Sequence, residues 1–150
     1  MFRFERDQLK QPTMSSFQRE LSIRFQDVDA AGIIFYPNVL ALCHDLYVDF
    51  LAAHGSPLHE TLRGPWIAPI RHAEADYLRP LRFGDRVSAE IVAAHLEPEA
   101  PTEVTLGYRL SIQDTVHVVA QTVHTFVDPA TFKRVPVPDV LLKAFASLGG

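Results

Sequence analysis

From Phe17 onward, apolar and polar positions take turns. Leu21, Ile23 and Phe25 alternate with Ser22 and Arg24, the period-two pattern of a half-buried strand. The period then changes. Val39, Leu42, Cys43, Leu46 and Phe50 recur at i, i+3, i+4, i+7 and i+11, and Tyr47 and Leu51 widen that stripe. Such spacing predicts an amphipathic helix of about four turns, opened by Pro37-Asn38 and closed by Gly55 with Pro57 beyond it. A short helical turn is expected over 58–63. The rest reads mainly as strands. Residues 67–78 are extended, with Pro69 marking an edge or a bulge. Val87, Ala89, Ile91 and Ala93 alternate, as do Val104, Leu106, Tyr108, Leu110 and Ile112. After the turn at Gln113-Asp114-Thr115, Val116–Val127 is apolar on both faces, as a central strand would be, and 139–148 fits a final helix.

One strand, a long helix and four strands joined mostly by short connections predict an α+β fold, an antiparallel sheet packed on one long helix. Residues 1–16 are polar and aperiodic and read as a flexible extension, leaving 17–150 as the folded domain; Met14 is an alternative start. An open sheet has two edges, and pairing an edge with a second copy is a common remedy, so a homodimer at least is expected.

Composition narrows the function classes. With 150 residues, 47% hydrophobic and 21% charged, the chain suits one globular domain. A net charge of −4 argues against duplex nucleic acid or an anionic membrane as partner, since both select a basic face. The longest apolar stretch, 30–43, is interrupted by Pro37 and Asn38 and is too short to span a bilayer. The run MFRFERDQLKQP lacks the features of a secretory signal, and Cys43 is the sole cysteine, so a reducing, cytoplasmic setting is expected. No G-x-S-x-G elbow, P-loop or G-x-G-x-x-G turn is present.

The richest segment for chemistry is Asp27-Val28-Asp29-Ala30-Ala31-Gly32-Ile33-Ile34-Phe35-Tyr36-Pro37-Asn38. It sets two carboxylates on a turn just before a helix N-terminus, where free N–H groups and the positive end of the macrodipole stabilise a developing oxyanion. A carboxylate beside such donors is what acyl transfer requires. Aspartates in this position also serve as caps or Asx-turns, and spacing alone favours that simpler role.

The string DVDAAGIIFYPN resembles the signature of the hotdog-fold acyl-CoA thioesterases of the 4-hydroxybenzoyl-CoA type, in which Asp-x-Asp-x-x-Gly precedes Tyr-Pro-Asn. The segments Leu42-Cys43-His44-Asp45-Leu46-Tyr47 and His72-Ala73-Glu74-Ala75-Asp76-Tyr77-Leu78-Arg79-Pro80-Leu81 are similar to the 1,4-dihydroxy-2-naphthoyl-CoA hydrolase branch. The resemblance covers all but the first 16 residues. It implies a hotdog fold, a long helix wrapped by an antiparallel sheet of about five strands. It also implies hydrolysis of an acyl-CoA, with an aromatic, hydroxylated acyl group favoured. By the same resemblance Asp29 is the nucleophile or general base, the Tyr36 backbone N–H polarises the thioester oxygen, and Gly32 permits the turn between them. Pro37, Asn38 and His44 fall on the substrate side, His44 as a reader of an acyl hydroxyl; a surface or interface role suits that histidine equally. Asp27 is structural. No cofactor is implied, since coenzyme A is part of the substrate, and relatives assemble as dimers or as homotetramers.

Coenzyme A carries phosphates, so Arg79 and Arg82, clustered with Arg86 at the 81–85 turn, are candidates to meet them, with Arg71 and Lys133-Arg134 elsewhere. His72, Glu74 and Asp76 share one strand face at a spacing that admits a metal, though a polar interface strand looks the same. His117 and His124 fall on opposite faces and cannot share one. Cys43 lies on the apolar stripe without an activating neighbour. Two rivals remain: a hotdog acyl-thioester dehydratase or hydratase, for which the Asp29 motif offers no histidine, and a non-catalytic acyl-CoA-binding protein.

Overall fold

In the computed structural model, which describes residues 1–149, five antiparallel strands form one sheet crossed by a long helix. The elements run α1 (Arg6–Lys10), β1 (Phe17–Ser22), a 3-10 turn (Phe25–Asp27), α2 (Pro37–Ala53), α3 (Leu58–Thr61), β2 (Ile70–Tyr77), β3 (Arg86–His95), β4 (Glu103–Ile112), β5 (Thr115–Thr125) and α4 (Asp139–Ala146). The strand order is β1-β3-β4-β5-β2, so β1 and β2 are the edges and β4 lies at the centre. β3, β4 and β5 form a meander. The tight β4–β5 link places Gln113 at φ 53°, a left-handed conformation that short hairpin loops demand. Pro69 precedes edge strand β2, and the register shifts between Ile70 and His72, so the expected edge and bulge are both present.

α2 is the helix expected from the 3.6-residue pattern, with Pro37 in its first turn. It buries Val39, Cys43, Leu46, Tyr47, Phe50 and Leu51. Against that stripe lie Val104, Leu106, Tyr108 and Leu110 of β4, Val118 and Ala120 of β5, and Leu141 and Phe145 of α4. Phe50 and Phe145 stack with ring centroids 5.5 Å apart. Full burial of each such side chain contributes about 1.5–3 kcal/mol, which is what holds α2 across the sheet.

The first 16 residues depart from expectation. Instead of a loose extension they form a strap across the outer face of the sheet. Leu9 packs with Val92 and Val119. Phe4 and the Gln121 side chain exchange two hydrogen bonds, N–H to Oε1 at 2.8 Å and Nε2–H to the Phe4 carbonyl at 3.0 Å. Arg3 pairs with Glu74, the Arg109 guanidinium donates to the Gln11 carbonyl, and Phe2 stacks on His95 at 3.7 Å. Gly107 makes room: a Cβ there would sit 2.4 Å from Leu9 Cδ2. Thr105, Gly107 and Arg109 of β4 are therefore covered by the strap, while Val104, Leu106, Tyr108 and Leu110 face α2. Polar residues 1–16 hide this arrangement in sequence because most of their contacts are hydrogen bonds and ion pairs.

Candidate active site

The Asp27–Asn38 segment is a hydrogen-bonded loop that delivers the chain into α2. Val28 and Ile34 bridge each other, Asp29 N–H donates to the Ile33 carbonyl at 3.0 Å, and Phe35 N–H donates to the Asp27 carbonyl at 2.9 Å. Gly32, at φ +74°, takes the left-handed turn between them and donates to the Asp29 carbonyl at 3.0 Å. The loop is docked onto the 81–85 turn: Ile34 N–H donates to the Leu81 carbonyl at 2.8 Å and Phe83 N–H to the Gly32 carbonyl at 3.1 Å.

The two aspartates differ sharply. Asp27 is 4% exposed and fully engaged. Its Oδ2 accepts from Arg24 N–H at 2.8 Å and Arg24 Nε at 3.1 Å, and its Oδ1 accepts from Arg24 Nη2 at 3.0 Å. These bonds from Arg24 hold its carboxyl below the usual carboxylate range. Asp29 is exposed, and among the described residues its Oδ1 accepts only the Ala31 N–H, at 2.8 Å, in an Asx-turn. One carboxylate thus staples the loop, and the other is presented to solvent.

Tyr36 directly precedes α2, and its N–H donates to no acceptor among the described residues. Two contacts steady this helix start. Asn38 Nδ2 donates to the Asp27 carbonyl at 3.0 Å, and the Tyr77 hydroxyl of β2 donates to the Tyr36 carbonyl. Asp29, Gly32, Tyr36, Pro37 and Asn38 are therefore gathered in one frame. The Arg82 backbone joins it through a bridge to Ile33, while Arg79 N–H is tied instead to the His117 carbonyl at 3.1 Å. Among the described residues neither arginine side chain has an ion-pair or hydrogen-bond partner, whereas Arg86 pairs with Glu20 and Arg71 with Glu103. Phe35, Tyr36 and Tyr77 are exposed around the loop.

His44, exposed on the second turn of α2, is not part of that loop. It stands at the mouth of an apolar pocket of about 260 Å³, whose lining includes Tyr47, Leu51, Leu62, Trp66 and Ala68. Beneath lies a buried polar chain. Tyr108 and Thr122 hydroxyls are 3.0 Å apart, Thr122 Oγ1 is 2.9 Å from His124 Nε2, and the His124 ring sits 4.1 Å from that of Tyr47. Burial first, and neighbouring His44 second, push the His124 pKa down to about 3, so the ring is neutral. Among the described residues the Tyr47 hydroxyl has no hydrogen-bond partner, while the His124 ring meets the Ala68 backbone. Sequence reading passed over His124 and Tyr47 as site residues. Alternation along β5 carries the signal for the first, since His124 shares the inward face of Val118 and Ala120.

The other candidates are placed elsewhere. Glu74 is taken up by Arg3, His72 and Gln121, and His117 Nδ1 lies 3.0 Å from the Pro80 carbonyl. Among the described residues no group of three His, Cys, Asp or Glu side chains could hold a metal, and no helix is long and apolar enough to cross a membrane. Cys43 is fully buried and its thiol is pushed up to about 12 by burial, far from a reactive thiolate.

Comparison with known proteins converges on one family. The profile of the thioesterase-like superfamily matches residues 23–145. The 1,4-dihydroxy-2-naphthoyl-CoA hydrolase of Synechococcus elongatus is 38% identical over 130 residues, covering 85% of this chain and 93% of that one. The same-named protein of Nostoc punctiforme is 33% identical over 129 residues, covering 85% of each. Among solved structures, a 1,4-dihydroxy-2-naphthoyl-CoA thioesterase from Synechocystis superposes with a TM-score of 0.80 at 24% identity, over 89% of this chain and 98% of that one. A gentisyl-coenzyme A thioesterase gives 0.75 at 26% identity, over 85% and 98%. The chain belongs to the thioesterase-like superfamily: it is a thioesterase on the hotdog fold.

Proposed function

We propose that this thioesterase hydrolyses a hydroxylated aromatic acyl-CoA, with 1,4-dihydroxy-2-naphthoyl-CoA the leading candidate, to the free acid and CoA-SH. The observation that carries the reading is the pairing, within one hydrogen-bonded loop, of the exposed Asp29 carboxylate with an unengaged N–H at the start of a 17-residue helix. In the reaction the thioester oxygen accepts from the Tyr36 N–H. The Asp29 carboxylate either attacks the carbonyl carbon directly or takes a proton from an attacking water. The C–S bond breaks, the thiolate leaves and is protonated, and water supplies the oxygen of the released acid. An oxyanion donor of this kind contributes about 10²–10³ in rate. Pro37 and Asn38 set the helix entry, the pocket beside His44 receives the acyl ring, and the unpaired Arg79 and Arg82 guanidiniums meet the CoA phosphates.

Names of the relatives favour the ring: each curated relative cited is a 1,4-dihydroxy-2-naphthoyl-CoA hydrolase. The exposed aromatics around Asp29 and the free β2 edge support a homodimer, or a tetramer of two dimers, in which a second copy covers this surface. A cytoplasmic setting, with no cofactor, completes the proposal. The test is thiol release from a panel of 1,4-dihydroxy-2-naphthoyl, 4-hydroxybenzoyl, benzoyl and aliphatic CoA thioesters. Turnover of the hydroxylated aromatic members well above the aliphatic ones is expected. Bound CoA thioesters that stay intact on long incubation would instead make the protein a binding module.

A further inference from the structure

We propose that the Tyr47 hydroxyl, backed by His124, is a specificity-determining group that recognises a ring hydroxyl of the acyl moiety on the side away from the thioester. The inference rests on the functional reading above and names the substrate class more narrowly: an aromatic acid with a second hydroxyl besides any adjacent to the carboxyl.

Tyr47 lines the apolar pocket and is 3% exposed, yet among the described residues its hydroxyl has no hydrogen-bond partner. A dry, unpaired hydroxyl carries a standing penalty that only a polar ligand atom relieves. The floor behind it is polar by construction. If Tyr108 donates to Thr122, and Thr122 to His124 Nε2, the neutral imidazole carries its proton on Nδ1, toward the Ala68 backbone. The walls are otherwise aliphatic and aromatic, with Leu51, Leu62 and Trp66, and about 260 Å³ admits one or two fused rings rather than a long chain. Exposed His44 is the movable side chain at the mouth. An entering ring displaces it and brings an oxygen to Tyr47. A site with a buried hydroxyl to satisfy discriminates against an analogue that lacks the matching group.

The experiment compares 1,4-dihydroxy-2-naphthoyl-CoA with 1-hydroxy-2-naphthoyl-CoA, which differ only in the second hydroxyl, on native protein and on Tyr47→Phe. Native kcat/KM is expected to favour the dihydroxy substrate by about tenfold, the worth of one hydrogen bond. Tyr47→Phe should bring that ratio near one. Because the substitution deletes only an unpaired hydroxyl, its melting temperature should hold or rise; a fall would mark Tyr47 as structural and overturn the proposal. A ratio that survives Tyr47→Phe overturns it too, as does a native enzyme indifferent to the second hydroxyl. The free acids, 1,4-dihydroxy-2-naphthoate and 1-hydroxy-2-naphthoate, are also titrated against both proteins. If no thioester is hydrolysed, the functional reading falls, and the pocket is judged by that binding ratio alone: a preference lost in Tyr47→Phe upholds it, and equal affinities refute it.

Discussion

Replacing Asp27 and Asp29 one at a time should separate what builds the loop from what acts on substrate. In Asp27→Ala, both carboxylate oxygens vanish from a nearly buried position, and the Arg24 N–H, half of the loop's staple, loses its acceptor. A hydrogen bond to a charged acceptor is worth about 1.5–3 kcal/mol. The guanidinium side of the pair adds little, because the Arg24 side chain is 58% exposed and returns to water, so about 0–1 kcal/mol suffices for it. The expected cost is about 2–4 kcal/mol. At about 2–4 °C per kcal/mol for a chain of this size, the melting temperature should fall by roughly 4–16 °C. Asp27→Asn keeps one acceptor for the Arg24 N–H and should lose about half as much. The pH dependence has a definite sign. Arg24 lowers the folded-state pKa of Asp27, so its contribution is present above the unfolded value of about 3.9 and is lost as pH falls through the folded one. Native and Asp27→Asn stabilities should therefore converge below about pH 4. Asp29→Ala, which forfeits one exposed Asx-turn bond, should cost less than about 1 kcal/mol. Thermal melts and urea titrations read all of this directly. An Asp27→Ala protein as stable as native would refute the assignment of Asp27 as the staple of the loop.

Two further outcomes follow from the buried polar groups and the strap. His124 is held neutral by burial, with a folded pKa of about 3 against an unfolded value of about 6.5, so acidification through that window must destabilise the native protein. Between pH 7 and 5 the loss should be about 2 kcal/mol from this residue, and His124→Gln should flatten the slope in urea titrations; an unchanged slope would show that His124 is not the group responsible. Leu9→Ala removes the packed side chain of the strap, at least about 2 kcal/mol in a well-packed site, so tryptic cleavage after Lys10 should quicken roughly thirtyfold. Gly107→Ala should do the same from beneath, by pressing its Cβ onto Leu9; cleavage at the native rate in both variants would contradict the docking.

Much of the fold is written in periodicity. The α2 stripe and the unbroken alternation of β4 mark those elements because the apolar positions of each meet the core, whereas the period-two reading of Leu21, Ile23 and Phe25 overruns β1, which ends at Ser22 and leaves Phe25 exposed in the 3-10 turn. The order β1-β3-β4-β5-β2 is not written there, since pairing is decided by contacts far apart in sequence. The strap was missed for a related reason: its anchors, Arg3 to Glu74 and Phe4 to Gln121, are polar partners about 70 to 117 positions away, and only Leu9 is deeply buried. At the site, the motif resemblance picked out Asp29, Gly32 and Tyr36, and spacing alone could not have ranked Asp29 over Asp27. Three bonds from Arg24 make the distinction visible. Tyr47 looked like one more member of the apolar stripe, because sequence shows a residue's face but not whether its hydroxyl finds a partner.

Asp29 is the residue proposed to perform the chemistry on an aromatic acyl-CoA. The most direct test of that role is thiol release from 1,4-dihydroxy-2-naphthoyl-CoA by native protein and by Asp29→Asn, at matched fold and matched substrate binding. Asp29→Asn is expected to melt within a few degrees of native and still bind the thioester, yet to lose at least about 10²-fold in kcat, the lower bound expected of a positioned acid–base group. Asp29→Asn turning over at the native rate would contradict that role.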